Sequence, residues 1–224
     1  MAWTSHEWVR KAGEPYTALW FAWRLVGAFA VVGWVSLFYF SASGATADRS
    51  HDLSTFIDRS VPFIPWTWWI YFPGYLFGIL FSVLAIRSDD VFFRSVGAIM
   101  VAQMVNSAVY LVLPSTYPRP LGWDGTGLTA DAIRWFWTID PPNNTFPSSH
   151  VCIAVLCWLA MWRDKNRFAW VPLLTAIGVI VTIHTAKQHY WIDAVGGIAV
   201  ALLTHRLAFM RRVASDGSQT ASPA

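Results

Sequence analysis

The sequence has 224 residues, of which 55% are hydrophobic and only 13% are charged. Soluble domains carry about 25% charged residues, so this composition excludes an ordinary water-soluble domain and indicates an integral membrane protein. The net charge of +3 is small and spread over several loops, and the chain has no Lys/Arg stripe or known DNA- or RNA-binding pattern, so we expect no nucleic-acid partner.

Long apolar runs follow one another along the chain. A helix needs about 20 apolar residues to cross roughly 30 Å of hydrocarbon, so the runs predict an all-α bundle of six transmembrane helices. The predicted spans are 25–42, 65–86, 95–113, 148–162, 168–185 and 190–209. We expect one membrane domain, residues 1–213, followed by a disordered cytoplasmic tail at 214–224, which is rich in Ser, Ala and Gly.

The basic residues predict the orientation. The two termini and the turns at 87–94 and 163–167 hold 11 of the 16 Lys and Arg residues. Because Lys and Arg are retained on the cytoplasmic side, both termini are predicted to be cytoplasmic. The 43–64 and 114–147 loops then lie on the extracytoplasmic face of a bacterial-type inner or plasma membrane.

The 114–147 loop, between the third and fourth spans, contains the segment GLTADAIRWFWTID. Thr129 is a candidate cap for a short helix there, and Ile133, Trp135, Phe136 and Trp137 give that helix an apolar surface. We expect this helix to lie in the membrane interface.

His189 and Asp193 stand at the start of the sixth span, four residues apart, and therefore share one face of a helix. A carboxylate at that depth needs a partner. If it holds one imidazole nitrogen protonated, the other nitrogen becomes a nucleophile or base. The alternative is a buried pair that only satisfies itself.

The segment Pro147-Ser148-Ser149-His150 opens the fourth span. Pro147 suits a first helical turn, and the serines would offer unpaired backbone N–H groups and the positive end of the helix dipole to a phosphate. The alternative is a plain helix cap with His150 wetted at the interface.

Two cations are candidates for phosphate binding. Arg119 lies between prolines in YPRP, and its planar fork matches phosphate, although an interfacial arginine that reaches toward lipid headgroups is an alternative. Lys187 is a second candidate contact, or a simple interfacial lysine. The chain has no HExxH motif and no dense Cys/His spacing, so we expect no metal and no other cofactor.

Together these pieces resemble the type 2 phosphatidic acid phosphatase superfamily, whose pattern is K-x6-RP, PSGH and SR-x5-H-x3-D. The matching residues are Arg119-Pro120, 147–150, and His189 with Asp193, within a core at about 65–210. The family lysine falls on Val112, its Ser-Arg pair on Thr182 and Ile183, and its glycine on Ser149. The run HYWID is similar to the HYxxD of the sphingolipid-synthase branch.

The resemblance implies a metal-independent enzyme acting on lipid phosphates in the membrane. In it His189 attacks phosphorus to form a phosphohistidine, Asp193 fixes the His189 tautomer, and His150 protonates the departing oxygen. Arg119, Lys187, Ser148 and Ser149 would bind the phosphoryl oxygens. The acceptor is water in a phosphatase or an alcohol in a head-group transferase.

Two other classes stay open at the sequence level. A lipid-phosphate binder or transporter would need Arg119 but not His189, whereas a structural scaffold would need neither. The sequence does not fix the oligomeric state or the identity of the lipid.

Overall fold

The computed structural model describes residues 16–120 and 122–210, and these residues fold largely into α-helices. The helices are α1 Ala18–Thr46, α2 Phe56–Ser60, α3 Tyr75–Ala85, α4 Asp89–Val112, α5 Leu128–Ile139, α6 Ser149–Arg163, α7 Trp170–Thr185 and α8 Trp191–Phe209. A 3-10 turn follows α1 at Ala47–Arg49, and another at Pro65–Thr67 is followed by a π-helical turn at Ile70–Gly74 that leads into α3.

Helix α6 is the centre of the bundle. It packs against α3, α4, α7 and α8, and most of its side chains are buried. Its sequence is apolar on every side, as expected for a helix surrounded by other helices. Because α6 carries His150 at its first turn, the surrounding helices together determine where that side chain lies.

The structure confirms the prediction of a helical membrane protein, but it does not confirm six spans. Within residues 16–120 and 122–210, four segments are long and apolar enough to cross a membrane: Ala18–Arg49, Pro65–Ala85, Asp89–Val112 and Trp191–Phe209. Helices α6 and α7 are apolar but shorter.

Two helices begin earlier than predicted. Helix α1 starts at Ala18 because Thr17 accepts a hydrogen bond from the Trp20 N–H at 3.1 Å. Helix α4 starts at Asp89. Ser88 caps it, and the positive end of the helix dipole stabilises the acidic residues of the first turn, Asp89 and Asp90. The predicted tail at 214–224 lies outside the described residues.

The two long loops meet in a short parallel pairing that sequence reasoning did not anticipate. Strand β1, His51–Asp52, pairs with strand β2, Ser115–Thr116. The pairing joins the 43–64 loop to the loop that carries Arg119.

The predicted cap of α5 is wrong, although the helix itself is present. The N-cap is Gly127, whose φ of 84° is readily available only to glycine. Thr129 lies inside the helix, and its Oγ1 accepts a hydrogen bond from Trp69 Nε1 at 3.0 Å.

Candidate active site

The first turn of α6 is held by hydrogen bonds on both sides of Ser148. The Ser148 N–H donates to the Asp193 carbonyl at 3.0 Å, and its Oγ accepts from the Val151 N–H at 3.3 Å. Ser148 is therefore the N-cap of α6, and the structure gives its polar groups a structural role. Pro147 lies just before the cap rather than in the first turn, and its carbonyl accepts a hydrogen bond from Tyr110 at 2.8 Å.

His189 and Asp193 form the hydrogen bond that their spacing predicts. The Nδ1 atom of His189 lies 3.3 Å from Asp193 Oδ2 and 3.0 Å from the Thr145 carbonyl. A carboxylate and a carbonyl are both acceptors, so Nδ1 carries the proton, and in the neutral ring Nε2 then has the lone pair.

The Asp193 side chain is completely buried, and its carboxylate contacts both His189 and the backbone at the start of α8. Its Oδ2 also accepts the Tyr190 N–H at 2.9 Å, which caps the first turn of α8. Its Oδ1 has no hydrogen-bond partner in the described part of the chain. A carboxylate held in this way fixes the direction of the His189 ring.

The two histidines face each other. Their ring centroids are 5.8 Å apart, and the planes are inclined at 65°. His150 is half-buried and His189 is buried. A single phosphoryl group is small enough to reach both rings at this separation.

Sequence reasoning missed Tyr71, which contacts His150. Its hydroxyl lies 3.0 Å from His150 Nδ1 and 3.3 Å from Nε2, and its side chain is fully buried. No specific signal was present in the sequence, because the same apolar run also contains the phenol of Tyr75.

Arg119 lines the same polar pocket as His189, together with Lys187, Thr145, Tyr39 and Tyr117. Its guanidinium donates to the Trp137 carbonyl at 3.3 Å and to the Asp140 carbonyl at the end of α5. The Asp140 carboxylate is 3.9 Å away. Burial lowers the pKa of Arg119, against the opposing effect of Asp140, but the guanidinium stays protonated.

Asp140 is a carboxylate in a pocket that was predicted to bind phosphate, and sequence reasoning did not identify it. Its Oδ1 accepts a hydrogen bond from the Tyr39 hydroxyl at 2.8 Å. Burial raises the pKa of Asp140, against the opposing effects of that bond and of Arg119. When it is ionised, Asp140 partly offsets the positive charge of Arg119.

Lys187 is directed at the 43–64 loop. Its ammonium donates to the carbonyls of Asp58 at 3.1 Å and Val61 at 2.5 Å, and burial lowers its pKa. It also lines a second cavity of about 280 Å³, which adjoins the first at Tyr117.

The Ser149 side chain faces α4. Its Oγ donates to Gln103 Oε1 at 2.9 Å, accepts from Asn106 Nδ2 at 3.0 Å and lies 2.8 Å from the Tyr110 hydroxyl. With its hydroxyl committed there, the backbone N–H is the group that Ser149 can offer to a phosphate.

Comparison with known protein families identifies a superfamily. A family model described as the PAP2 superfamily matches residues 46–207, a range that contains Arg119, His150, His189 and Asp193. A search of curated proteins found no match. The family model confirms the superfamily that the motifs resemble, but it does not single out the sphingolipid-synthase branch.

Proposed function

The chain belongs to the PAP2 superfamily, and on this premise we propose that it is a membrane enzyme that cleaves lipid phosphoesters through a phosphohistidine at His189. The observation that carries this proposal is the pair of facing imidazoles, one of them with a carboxylate on Nδ1 and a free lone pair on Nε2.

The proposed reaction has two steps. His189 Nε2 forms a bond to phosphorus while the bond from phosphorus to the lipid oxygen breaks, and His150 gives its proton to that oxygen. His150 then takes a proton from water or an acceptor alcohol, which attacks phosphorus and releases His189. Asp193 holds the imidazole in one tautomer through both steps.

Charge on the phosphoryl oxygens needs preorganised donors. Arg119 is a candidate for this role: its guanidinium lines the pocket with His189 and is held in place by two backbone carbonyls. The backbone N–H groups of Ser149 and His150 open α6 and have no hydrogen-bond partner among the described residues. Lys187 is a further contact if it exchanges a loop carbonyl for phosphate.

The proposed membrane arrangement is a single domain of six spans, in which α6 and α7 are short crossings inside the bundle. Helix α5 lies in the interface: Ile133 and Phe136 are buried, whereas Leu128 and Trp135 are exposed. The termini are cytoplasmic, and the site opens to the extracytoplasmic face. The lipid tail can then stay in the bilayer while its head group reaches His189.

Hydrolysis and head-group transfer share the first step and differ only in the acceptor. The two missing family cations, the lysine at Val112 and the arginine at Ile183, are compatible with a substrate of lower negative charge than a phosphomonoester, as a phosphodiester donor would be. This favours transfer of a phosphorylated head group as the second candidate activity.

The test uses purified protein in lipid nanodiscs with a panel of phospholipids, prenyl diphosphates and ceramide plus a donor lipid. Free phosphate indicates hydrolysis, and a new phospholipid indicates transfer. With a phosphorus-labelled substrate, the native protein should retain an acid-labile, base-stable label that His189→Ala lacks. If His189→Ala and His150→Ala turn over every substrate as the native protein does, the proposal is wrong.

A further inference from the structure

The pocket that holds His189 contains an acidic side chain as well as basic ones. Among the described residues, three charged side chains line it: the cations Arg119 and Lys187 and the anion Asp140. Two positive charges and one negative charge leave a net charge of +1 around the His189 ring, and the buried Asp193 behind that ring adds a further negative charge. The positive charge available to a phosphoryl group is therefore small.

Contacts on both of its oxygens hold the Asp140 carboxylate in this pocket. Oδ1 accepts a hydrogen bond from the Tyr39 hydroxyl of α1 at 2.8 Å, and Oδ2 lies 3.9 Å from the Arg119 guanidinium. Burial raises the pKa of Asp140, whereas both contacts favour its ionised form. The side chain keeps 16% of its surface exposed, so a phosphoryl group bound in the pocket would meet it.

The Asp140 carboxylate does not itself hold Arg119 in place. The guanidinium donates its hydrogen bonds to the backbone carbonyls of Trp137 and Asp140, whereas the carboxylate lies beyond hydrogen-bond distance. Replacing that carboxylate by an amide of the same shape therefore removes a charge from the pocket and leaves the hydrogen bonds of Arg119 intact. The charge at Asp140 and the orientation of Arg119 can thus be tested separately.

Resting on the proposed function, we propose that Asp140 is a specificity-determining residue, which selects a phosphoryl group with one negative charge over one with two. Like charges repel strongly at short range in a partly buried site. A second anionic oxygen on phosphorus would face this carboxylate, whereas the additional ester oxygen of a phosphodiester carries no charge. The pocket therefore favours a phosphodiester lipid over a phosphomonoester.

The decisive comparison uses two lipids with the same leaving group. Phosphatidic acid and phosphatidylmethanol both release diacylglycerol. At about pH 8 the first carries two negative charges, because the second pKa of a phosphomonoester is about 6, and the second carries one. Native protein in nanodiscs should have the higher kcat/KM for phosphatidylmethanol. Asp140→Asn should raise kcat/KM for phosphatidic acid relative to phosphatidylmethanol by roughly 10- to 100-fold, the range expected for two like charges about 6 Å apart in a partly buried site.

Asp131→Asn is the matched control. It removes the same charge from an exposed position on α5, where Asp131 lies 3.5 Å from Arg134, and it should leave the ratio of the two kcat/KM values unchanged. If Asp140→Asn slows both lipids equally, or keeps the native ratio, Asp140 does not select by charge and the inference is wrong. A native preference for phosphatidic acid would also overturn it, and that result needs no variant to fold.

A binding measurement separates this inference from the proposed function. Inorganic phosphate, which is mostly dianionic at about pH 8, and dimethyl phosphate, which has one charge, can each be added to protein in a phosphate-free detergent. At matched ionic strength, the rise in Tm gives the affinity for each anion. Asp140→Asn should bind phosphate more tightly relative to dimethyl phosphate than native protein does.

An unchanged ratio of the two affinities would overturn the role of Asp140, whether or not any lipid is cleaved. A changed ratio in protein that cleaves no lipid of the panel would support selection by charge at Asp140 and count against the proposed function.

Discussion

In the proposed mechanism, Arg119 is the residue on which phosphate binding depends most. Its side chain is 6% exposed, and the guanidinium is held by two backbone carbonyls at the end of α5, so it is already oriented before a substrate arrives. A preorganised charge of this kind contributes more to a transition state than a mobile one.

Replacing Arg119 by alanine should therefore slow turnover by about 10²–10³-fold, the usual loss for one preorganised donor. Initial rates on the substrate found in the panel measure it. Arg134→Ala is the control, because Arg134 is an exposed cation that contacts the Gly125 carbonyl on the outside of α5. Similar rates for the two variants would contradict a phosphate-binding role for Arg119.

Ser149 stands where the family has glycine, and its hydroxyl joins α6 to α4. In Ser149→Ala, Asn106 and Gln103 would each lose a buried partner, and Asn106 Oδ1 already has none in the described residues. Leaving a buried polar group unpaired costs about 1–3 kcal/mol. We expect a lower thermal unfolding midpoint and a smaller loss of activity than Arg119→Ala causes, because the backbone N–H is retained. A large rate loss with unchanged stability would contradict this.

At the scale of helices, α6, which carries His150, and α8, which carries Asp193, approach each other closely at one glycine. Helix α8 crosses the first turn of α6 at Gly197, where a Cβ would lie 2.6 Å from the Ser148 carbonyl oxygen and 3.2 Å from Val151 Cβ. The absence of a side chain there allows His189 and Asp193 to approach His150.

Gly197→Ala should separate α8 from α6 and reduce both activity and thermal stability, because the clash is with backbone that cannot rotate away. Gly97→Ala in α4 is the control. A Cβ there meets nothing within 4 Å, and alanine favours a helix by up to about 1 kcal/mol. Full activity in Gly197→Ala would show that the helices need not approach so closely.

A second contact between elements joins the 43–64 loop to α8 through Asp58. Its Oδ2 accepts the Thr55 N–H at 2.9 Å and the Thr55 hydroxyl at 2.6 Å, and its Oδ1 accepts the Trp191 N–H at 3.0 Å. Burial raises the pKa of Asp58, but these hydrogen bonds outweigh it and leave the pKa below its usual value.

A lowered pKa in the folded state means that Asp58 contributes stability above its unfolded pKa of about 3.9, and that this contribution is lost as the pH falls through the folded pKa. Thermal unfolding of native protein and Asp58→Asn should differ at pH 7. The difference should shrink as the pH is lowered toward 3. A difference that does not change with pH would contradict a role for the ionised carboxylate.

Across the whole molecule, features that depend on local spacing could be predicted from the sequence, whereas long-range contacts could not. The His189–Asp193 bond follows from four residues on one helix, and the apolar runs locate the main helices. The partners of His150 and Arg119 come from Tyr71, far away in the chain, and from Asp140 at the end of α5. No periodicity encodes such contacts, because they depend on how α3, α5 and α6 pack.

The distribution of Lys and Arg residues also predicts how the whole molecule is oriented in the membrane. Asp131 on α5 and Arg167 in the turn before α7 are exposed and lie at opposite predicted faces. The native thiols of Cys152 and Cys157 are buried and give little background. In spheroplasts, a membrane-impermeant maleimide should label Asp131→Cys at once and Arg167→Cys only after permeabilisation. The reverse pattern would place the termini outside and the facing histidines at the cytoplasmic surface, where they would meet a different pool of lipid head groups.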